Sequence, residues 1–352
     1  MSQPVCRIAL DIGNSAAKVL IEPVADASGQ SVPQLQSASF LFAAQTEGQG
    51  DWTDQLCRWV AKCLSPNEAM SPNEALSPNA ALSVSDPVSI RWWVSTVNHR
   101  ASEQLKRFLA DQQGPRSDSC ESGLLRKLMS ASSFDDCWRE ISYRDIPLQL
   151  HVDRPQRVGI DRLLGAYGAA NRFGAPVMVV DAGSAMTLDL VTQGASQRSD
   201  SADASDTAGQ FAFCGGAILP GLRMQQSALA AGAEALANFG SLALSGEGPS
   251  QRGADAGFPS AAAVPALGPA RDTRSAIQLG VQAATVGGVT WLWQKYRENL
   301  QQATSGPKIP ELPIVITGGD GTEISAYLGQ CHELVPNLVC FALLDLARSA
   351  TV

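Results

Sequence analysis

Apolar residues fall into short strand-like blocks at two places in this chain, and each block breaks off at an aspartate. In residues 177–191, V-M-V-V-D-A-G-S-A-M-T-L-D-L-V, four apolar residues predict a buried strand ending at Asp181. Gly183 makes the tight reversal, and Thr187, Asp189 and Val191 alternate along a returning strand. Residues 7–21, R-I-A-L-D-I-G-N-S-A-A-K-V-L-I, repeat this grammar, with Asp11, Gly13 and Asn14 in the places of Asp181, Gly183 and Ser184. Aspartate and glycine are ordinary turn residues, so one such hairpin says little. Two of them, one in each half of the chain, point to a duplicated scaffold.

The remaining pattern predicts strands at residues 38–43 and 89–97, with strands or short elements at 137–143 and 148–152. Trp52–Leu64 has helical spacing, with Leu56, Trp59, Val60 and Cys63 on one face, and residues 102–111 form a further helix. Residues 114–122 read as loop. Residues 65–82 repeat one hexapeptide three times (S-P-N-E-A-M, S-P-N-E-A-L, S-P-N-A-A-L), each copy with a proline, and read as a lengthened surface loop. Residues 153–174 turn from loop into a helix with Asp161 near its start, stopped by Gly174. Residues 193–209 and 245–272 read as connections. Between them a strand at 211–214 leads into a G-G-A-I-L-P-G turn and a helix to about Phe239. A long helix over 273–297 carries small residues at Ala276, Gly280, Ala283, Ala284, Gly287 and Gly288, which permit close helix packing. A strand at 312–317 ending in T-G-G-D-G, a helix, a short strand at 333–334 and a last helix at 338–348 complete the pattern.

Length and composition narrow the class. A chain of 352 residues with 45% hydrophobic content supports two cores. A net charge of −8 and a pI near 5.0 argue against a nucleic-acid footprint and fit a protein that handles small molecules. The eight cysteines include no C-x-x-C pair, and with three histidines no zinc site reads from the spacing. No signal peptide and no membrane-spanning run is present, so reduced cysteines in a cytoplasmic protein are expected.

A carboxylate fixed at a glycine turn between two strands suits holding a cation beside phosphate oxygens, and turn N–H groups with Asn14 and Lys18 would meet those oxygens. Asp181 and Ser184 would do the same in the second copy, while Asp189 is read as a buried structural carboxylate. In Gly159-Ile160-Asp161-Arg162, glycine admits a ligand to the backbone, aspartate can take a proton and arginine can grip a carboxylate. By helix chemistry alone, an N-capping aspartate beside a surface arginine explains the same residues. Residues 215–221 and 317–321 suit phosphate or ribose contacts and equally suit plain connections. No phosphate loop G-x-x-x-x-G-K-[ST], strand-linked G-x-G-x-x-G, G-x-S-x-G or H-E-x-x-H occurs.

Taken in order, D-I-G-N-S, V-G-I-D-R, V-D-A-G-S-A-M-T-L-D, G-G-A-I-L-P-G, T-R-S-A-I-Q-L-G, V-I-T-G-G-D and V-P-N-L resemble the type III pantothenate kinases of bacteria. These belong to the acetate kinase, sugar kinase, Hsp70 and actin superfamily. The resemblance implies an α/β fold of duplicated actin-like ATPase (ribonuclease H-like) domains, each a mixed β-sheet flanked by helices. An N-terminal domain would span residues 1–155 with a low-complexity insert at 65–83, and a C-terminal domain 156–352 would carry a homodimer interface. The implied activity is ATP-dependent phosphorylation of pantothenate to 4'-phosphopantothenate, the first step of coenzyme A biosynthesis. Asp11, Gly13, Asn14, Ser15 and Lys18 would bind the ATP phosphates, with magnesium at Asp11 directly or through water, and Ser184 would contact ATP. Asp161 would be the general base. Gly159, Ile160, Asp161 and Arg162 would line the pantothenate site, and Thr273 would reach it across the dimer interface. Asp181 would hold a monovalent cation, potassium or ammonium.

Three positions depart from the family's pattern. Val152, with His151 beside it, stands where a tyrosine usually touches pantothenate; Gly165 stands where asparagine is common; Ser184 replaces threonine and keeps the hydroxyl. Two rival readings remain at this stage. One is another small-molecule kinase of the superfamily, against which Arg162 speaks by offering a carboxylate partner. The other is a non-catalytic regulatory relative, against which the intact Asp11, Asp161 and Asp181 speak.

Overall fold

The computed structural model describes residues 5–22, 35–42, 51–64, 89–112, 137–195, 210–239, 268–304 and 311–350. The hexapeptide repeat, the 114–122 loop and most of the 193–209 and 245–272 connections lie outside the described residues. The chain divides into two units: Met1–Ile146, Gln156–Leu164 and Val339–Val352 form the first, and Pro147–Pro155 with Gly165–Leu338 the second. The division is interleaved along the chain. Helix α3 (Ile160–Phe173) begins in the first unit and ends in the second, and the last helix returns to the first.

The first unit is built on a five-stranded sheet of order β3-β2-β1-β4-β5. Its strands are β1 (Val5–Ile12), β2 (Ala16–Glu22), β3 (Gln36–Leu41), β4 (Ser89–Thr96) and β5 (Trp138–Glu140). β1, β2 and β3 are antiparallel, whereas β4 and β5 continue parallel to β1. Alternation decides what each face meets. Ile8, Leu10, Ile12, Val19, Ile21, Trp92 and Val94 pack with Leu56 and Val60 of α1 (Trp52–Leu64) and Leu105 and Leu109 of α2 (His99–Gln112). The opposite face of β1, β2 and β4 therefore carries Asp11, Lys18 and Ser95. Helix α2 starts earlier than its apolar pattern because Asn98 caps it, its Oδ1 accepting the Ala101 N–H at 3.1 Å.

The second unit repeats the plan. Its six-stranded sheet has the order β11-β10-β7-β8-β9-β6, from β6 (Leu148–Leu150), β7 (Val177–Ala182), β8 (Ala185–Gln193), β9 (Phe211–Pro220), β10 (Ile314–Thr317) and β11 (His332–Leu334). Without the edge strand β6, this is the order of the first sheet, with the same antiparallel hairpins and the same two parallel strands. Two copies of one mixed sheet flanked by helices make this the duplicated actin-like ATPase fold. Met178, Val180, Met186, Leu188, Ile314 and Ile316 form its core with Leu222 of α4 (Leu222–Gly232) and Ile277, Val281 and Val289 of α5 (Thr273–Thr304). A short α6 (Gly321–Ser325) and α7 (Leu338–Ser349) follow. Gly174 ends α3 at φ +77°, a conformation that favours glycine.

One expected turn is a strand. Residues 215–220 continue β9 alongside β8, and only Gly221 stands at the head of α4. The paired glycines look like a turn but clear space inside the sheet. A Cβ on Gly216 would overlap the Leu188 carbonyl and stand 2.5 Å from Asp189 Oδ1. Asp189 is buried, in keeping with a structural carboxylate.

Candidate active site

The two aspartate hairpins match position for position. In the first, Asp11 pairs with Lys18, between Leu10↔Val19 and Ile12↔Ala17. In the second, Asp181 pairs with Thr187, between Val180↔Leu188 and Ala182↔Met186. On the parallel side, Asp11 lies beside Ser95 and Asp181 beside Thr317. Each aspartate is therefore the penultimate residue of its central strand, with a hydroxyl residue at the same level on the next one. The carboxyl ends of strands are where open α/β sheets receive ligands.

Each turn is held by backbone bonds. The Gly13 N–H donates to the Ala16 carbonyl at 3.0 Å, leaving Asn14 and Ser15 exposed at the tip. The second turn is fixed from two sides: the Gly221 N–H donates to the Ser184 carbonyl at 3.2 Å, and the Asp320 N–H to the Ala182 carbonyl at 3.0 Å. Gly318, at φ +94°, lies so close to the Ala182 backbone that no side chain fits. The two glycine-rich stretches thus support the Asp181 turn by letting backbone approach backbone.

Asp161 joins Asp11 and Lys18 in the first unit. It lies in the first turn of α3, where its Oδ1 accepts the Arg162 N–H at 2.8 Å. Gly159 makes that placement possible, because a Cβ there would stand 2.5 Å from the same oxygen. Burial pushes the Asp161 carboxyl above the usual carboxylate range; the Arg162 N–H and guanidinium and the Lys18 ammonium pull it back only in part. Beneath the hairpin, the Cys340 thiol points at the Lys18 carbonyl at 3.5 Å. Burial and the Asp11 charge hold that thiol protonated, far above the ordinary thiol range.

The predicted site residues divide between the units. Asp11, Gly13, Asn14, Ser15, Lys18, Gly159, Ile160, Asp161 and Arg162 belong to the first; Val152, Asp181, Ser184 and Thr273 belong to the second. Val152 is half-buried against Gly215. Thr273 is the exposed first residue of α5, next to Asp272, whose carboxylate accepts the Ser275 N–H at 3.0 Å and the Ser275 hydroxyl at 2.7 Å. Sequence reasoning missed Ser95, which sits in no motif and gains meaning only when parallel strands are laid side by side, as does the place of Thr317 beside Asp181.

Among the described residues no cluster of three or more His, Cys, Asp or Glu could hold a metal by protein ligands alone. Magnesium does not need one: it keeps several waters and binds through one or two carboxylates plus substrate phosphates. Asp11, only 8% exposed, fits that role. Beside it Ser95 is fully buried, and its Oγ has no hydrogen-bond partner among the described residues. Such an orphan costs about 1–3 kcal/mol.

The profile of the type III pantothenate kinase family matches residues 122–295. A type III pantothenate kinase from Rhodopirellula baltica is 30% identical over 349 residues, covering 97% of this chain and 98% of that one. One from Synechococcus elongatus is 29% identical over 213 residues, 60% of this chain and 66% of its own length. Among solved structures, a Baf family protein from Campylobacter jejuni is 15% identical with a TM-score of 0.44, covering 98% of each chain. The fold assignment rests on the strand order rather than on that likeness. Near-complete coverage at this identity, with both aspartate hairpins and the G-x-D-R turn in place, decides the family: the chain belongs to the type III pantothenate kinases.

Proposed function

We infer that this chain is a pantothenate kinase, transferring the γ-phosphoryl group of ATP to the primary hydroxyl of pantothenate to give 4'-phosphopantothenate, the first step of coenzyme A biosynthesis. The observation that carries the site assignment is the gathering of Asp11, Lys18, Asp161 and Arg162 in one unit, on a hairpin that the second unit duplicates around Asp181.

Phosphoryl transfer passes through a loose transition state, so the protein's work is positioning and charge neutralisation. The Gly13–Ser15 turn and Lys18 hold the ATP phosphates, and Ser184 contacts the nucleotide from the second hairpin. Asp11 holds magnesium, which when bound neutralises phosphate charge. Arg162 grips the pantothenate carboxylate, and Gly159 and Ile160 line the same site. An alcohol is about as weak an acid as water, whose pKa is roughly 15.7, so Asp161 cannot deprotonate it in advance. Asp161 instead orients the hydroxyl and takes its proton late in the transfer. Asp181 holds potassium or ammonium. Val152 takes the place of a tyrosine contact to pantothenate, with an apolar surface instead of a hydroxyl.

The chain acts as a homodimer in this reading, with the partner's Thr273 completing the pantothenate site. Support comes from an open face on the second unit. Trp291 of α5 is 57% exposed, on a helix that also exposes Gly280, Ala283, Ala284 and Gly287. No helix among the described residues is long and apolar enough to cross a membrane. The reading also places the reaction in the cytoplasm, away from nucleic acid and membrane, and the described cysteines are free thiols.

A coupled ATP-consumption assay with and without pantothenate, in potassium and then in sodium, tests this. Consumption should require pantothenate and fall in sodium. Pantothenate-independent turnover of another alcohol would indicate a different small-molecule kinase, and no turnover a regulatory relative. Equal rates in the two salts would remove the cation from Asp181.

A further inference from the structure

Resting on the kinase reading, we propose that Ser95 is a positioning residue for the divalent cation, its hydroxyl accepting a hydrogen bond from a water of the magnesium held at Asp11. Strand parity sets where it points. Ile90, Trp92 and Val94 of β4 face the core shared with α1 and α2, as do Ile8, Leu10 and Ile12 of β1. Ser95 and Asp11 therefore share the other face, and they are direct partners in the parallel register. Neighbouring strands lie about 4.8 Å apart, so the hydroxyl is one strand spacing from the carboxylate. Ser95 is 0% exposed, and of the buried polar side-chain atoms without a partner among the described residues, its Oγ is the one paired with Asp11 in the sheet.

A hydrated cation resolves this orphan. Magnesium dehydrates reluctantly and keeps octahedral waters, and a water bound to the metal is a strong donor for which the Ser95 hydroxyl is an acceptor at hand. The second unit supports the pairing. Thr317, 2% exposed, holds the same place beside Asp181. Carboxylate and hydroxyl on adjacent parallel strands thus form a repeated unit, occurring at both positions where the kinase reading puts a cation.

The test uses the full chain with manganese as a paramagnetic probe and a non-hydrolysable ATP analogue. Ser95→Ala should bind manganese about 10-fold more weakly, the usual loss when a partner behind a metal ligand is removed. Its melting temperature should stay level or rise, because the orphan hydroxyl is gone. Ser95→Thr should restore the affinity. Unchanged manganese binding in Ser95→Ala overturns the proposal. A fall in melting temperature that accompanies weaker binding also overturns it, since the hydroxyl would then be serving the packing. If the wild-type chain takes up no manganese–nucleotide at all, the kinase reading itself fails and this inference with it, an outcome distinct from the first two.

Discussion

Gly159 governs Asp161 through the absence of a methyl group. A Cβ at residue 159 conflicts with the end of a flexible side chain rather than with backbone, so the fold tolerates it and the carboxylate moves. Gly159→Ala should keep its melting temperature and lose turnover toward the level of Asp161→Asn, about 10²–10⁴-fold below wild type, with ATP binding retained. Wild-type rates in Gly159→Ala would mean that the carboxylate position is unimportant. The sign of the pH effect follows from burial. The folded pKa of Asp161 is raised, so this group favours the folded state below that value and withdraws its contribution as pH rises through it. Asp161→Asn should therefore melt no lower than wild type at neutral pH. The acid limb of wild-type kcat/KM should lie above the unperturbed aspartate value of about 3.9; a limb at or below it would contradict the burial argument.

The hairpins were legible in the sequence because everything that makes them is local. Apolar alternation, an aspartate at the strand end and a glycine at the reversal lie within a few residues of one another. β9 was misread beyond Cys214 because two adjacent glycines carry the same local signal in a turn as in a strand that must clear a neighbour's backbone. The neighbour, Asp189 on β8, is more than 20 residues away, beyond the reach of a pattern window. Ser95 escaped for the same reason, since its partner Asp11 lies on a strand far earlier in the chain. The β9 assignment has a direct check. Gly216→Ala should cost about 1–3 kcal/mol, as overpacking does, measured by denaturant unfolding. Gly329→Ala, with nothing within 4 Å of its Cβ, should stay within about 0.5 kcal/mol. Equal stability of the two variants would place the glycine run back in a turn.

The assembled enzyme makes a further demand on the second unit. Trp291 of α5 is exposed, one helical turn beyond the exposed Gly287. If the chain is the proposed homodimer, Trp291→Glu should give a monomer in sedimentation and lower turnover, because the proposed Thr273 contact to a partner site is lost. A fully active monomer would end the shared-site proposal. The interleaved division of the chain has its own effect. Cys340 sits under the Lys18 hairpin and Arg348 binds Glu22 through two nitrogens, Nε at 2.9 Å and Nη2 at 2.5 Å, so the last helix belongs to the first sheet. During synthesis the strands of the first sheet are made well before the helix that packs on them. A chain truncated ahead of Leu338 should therefore melt lower than the full chain, because the first sheet loses the helix that packs on it.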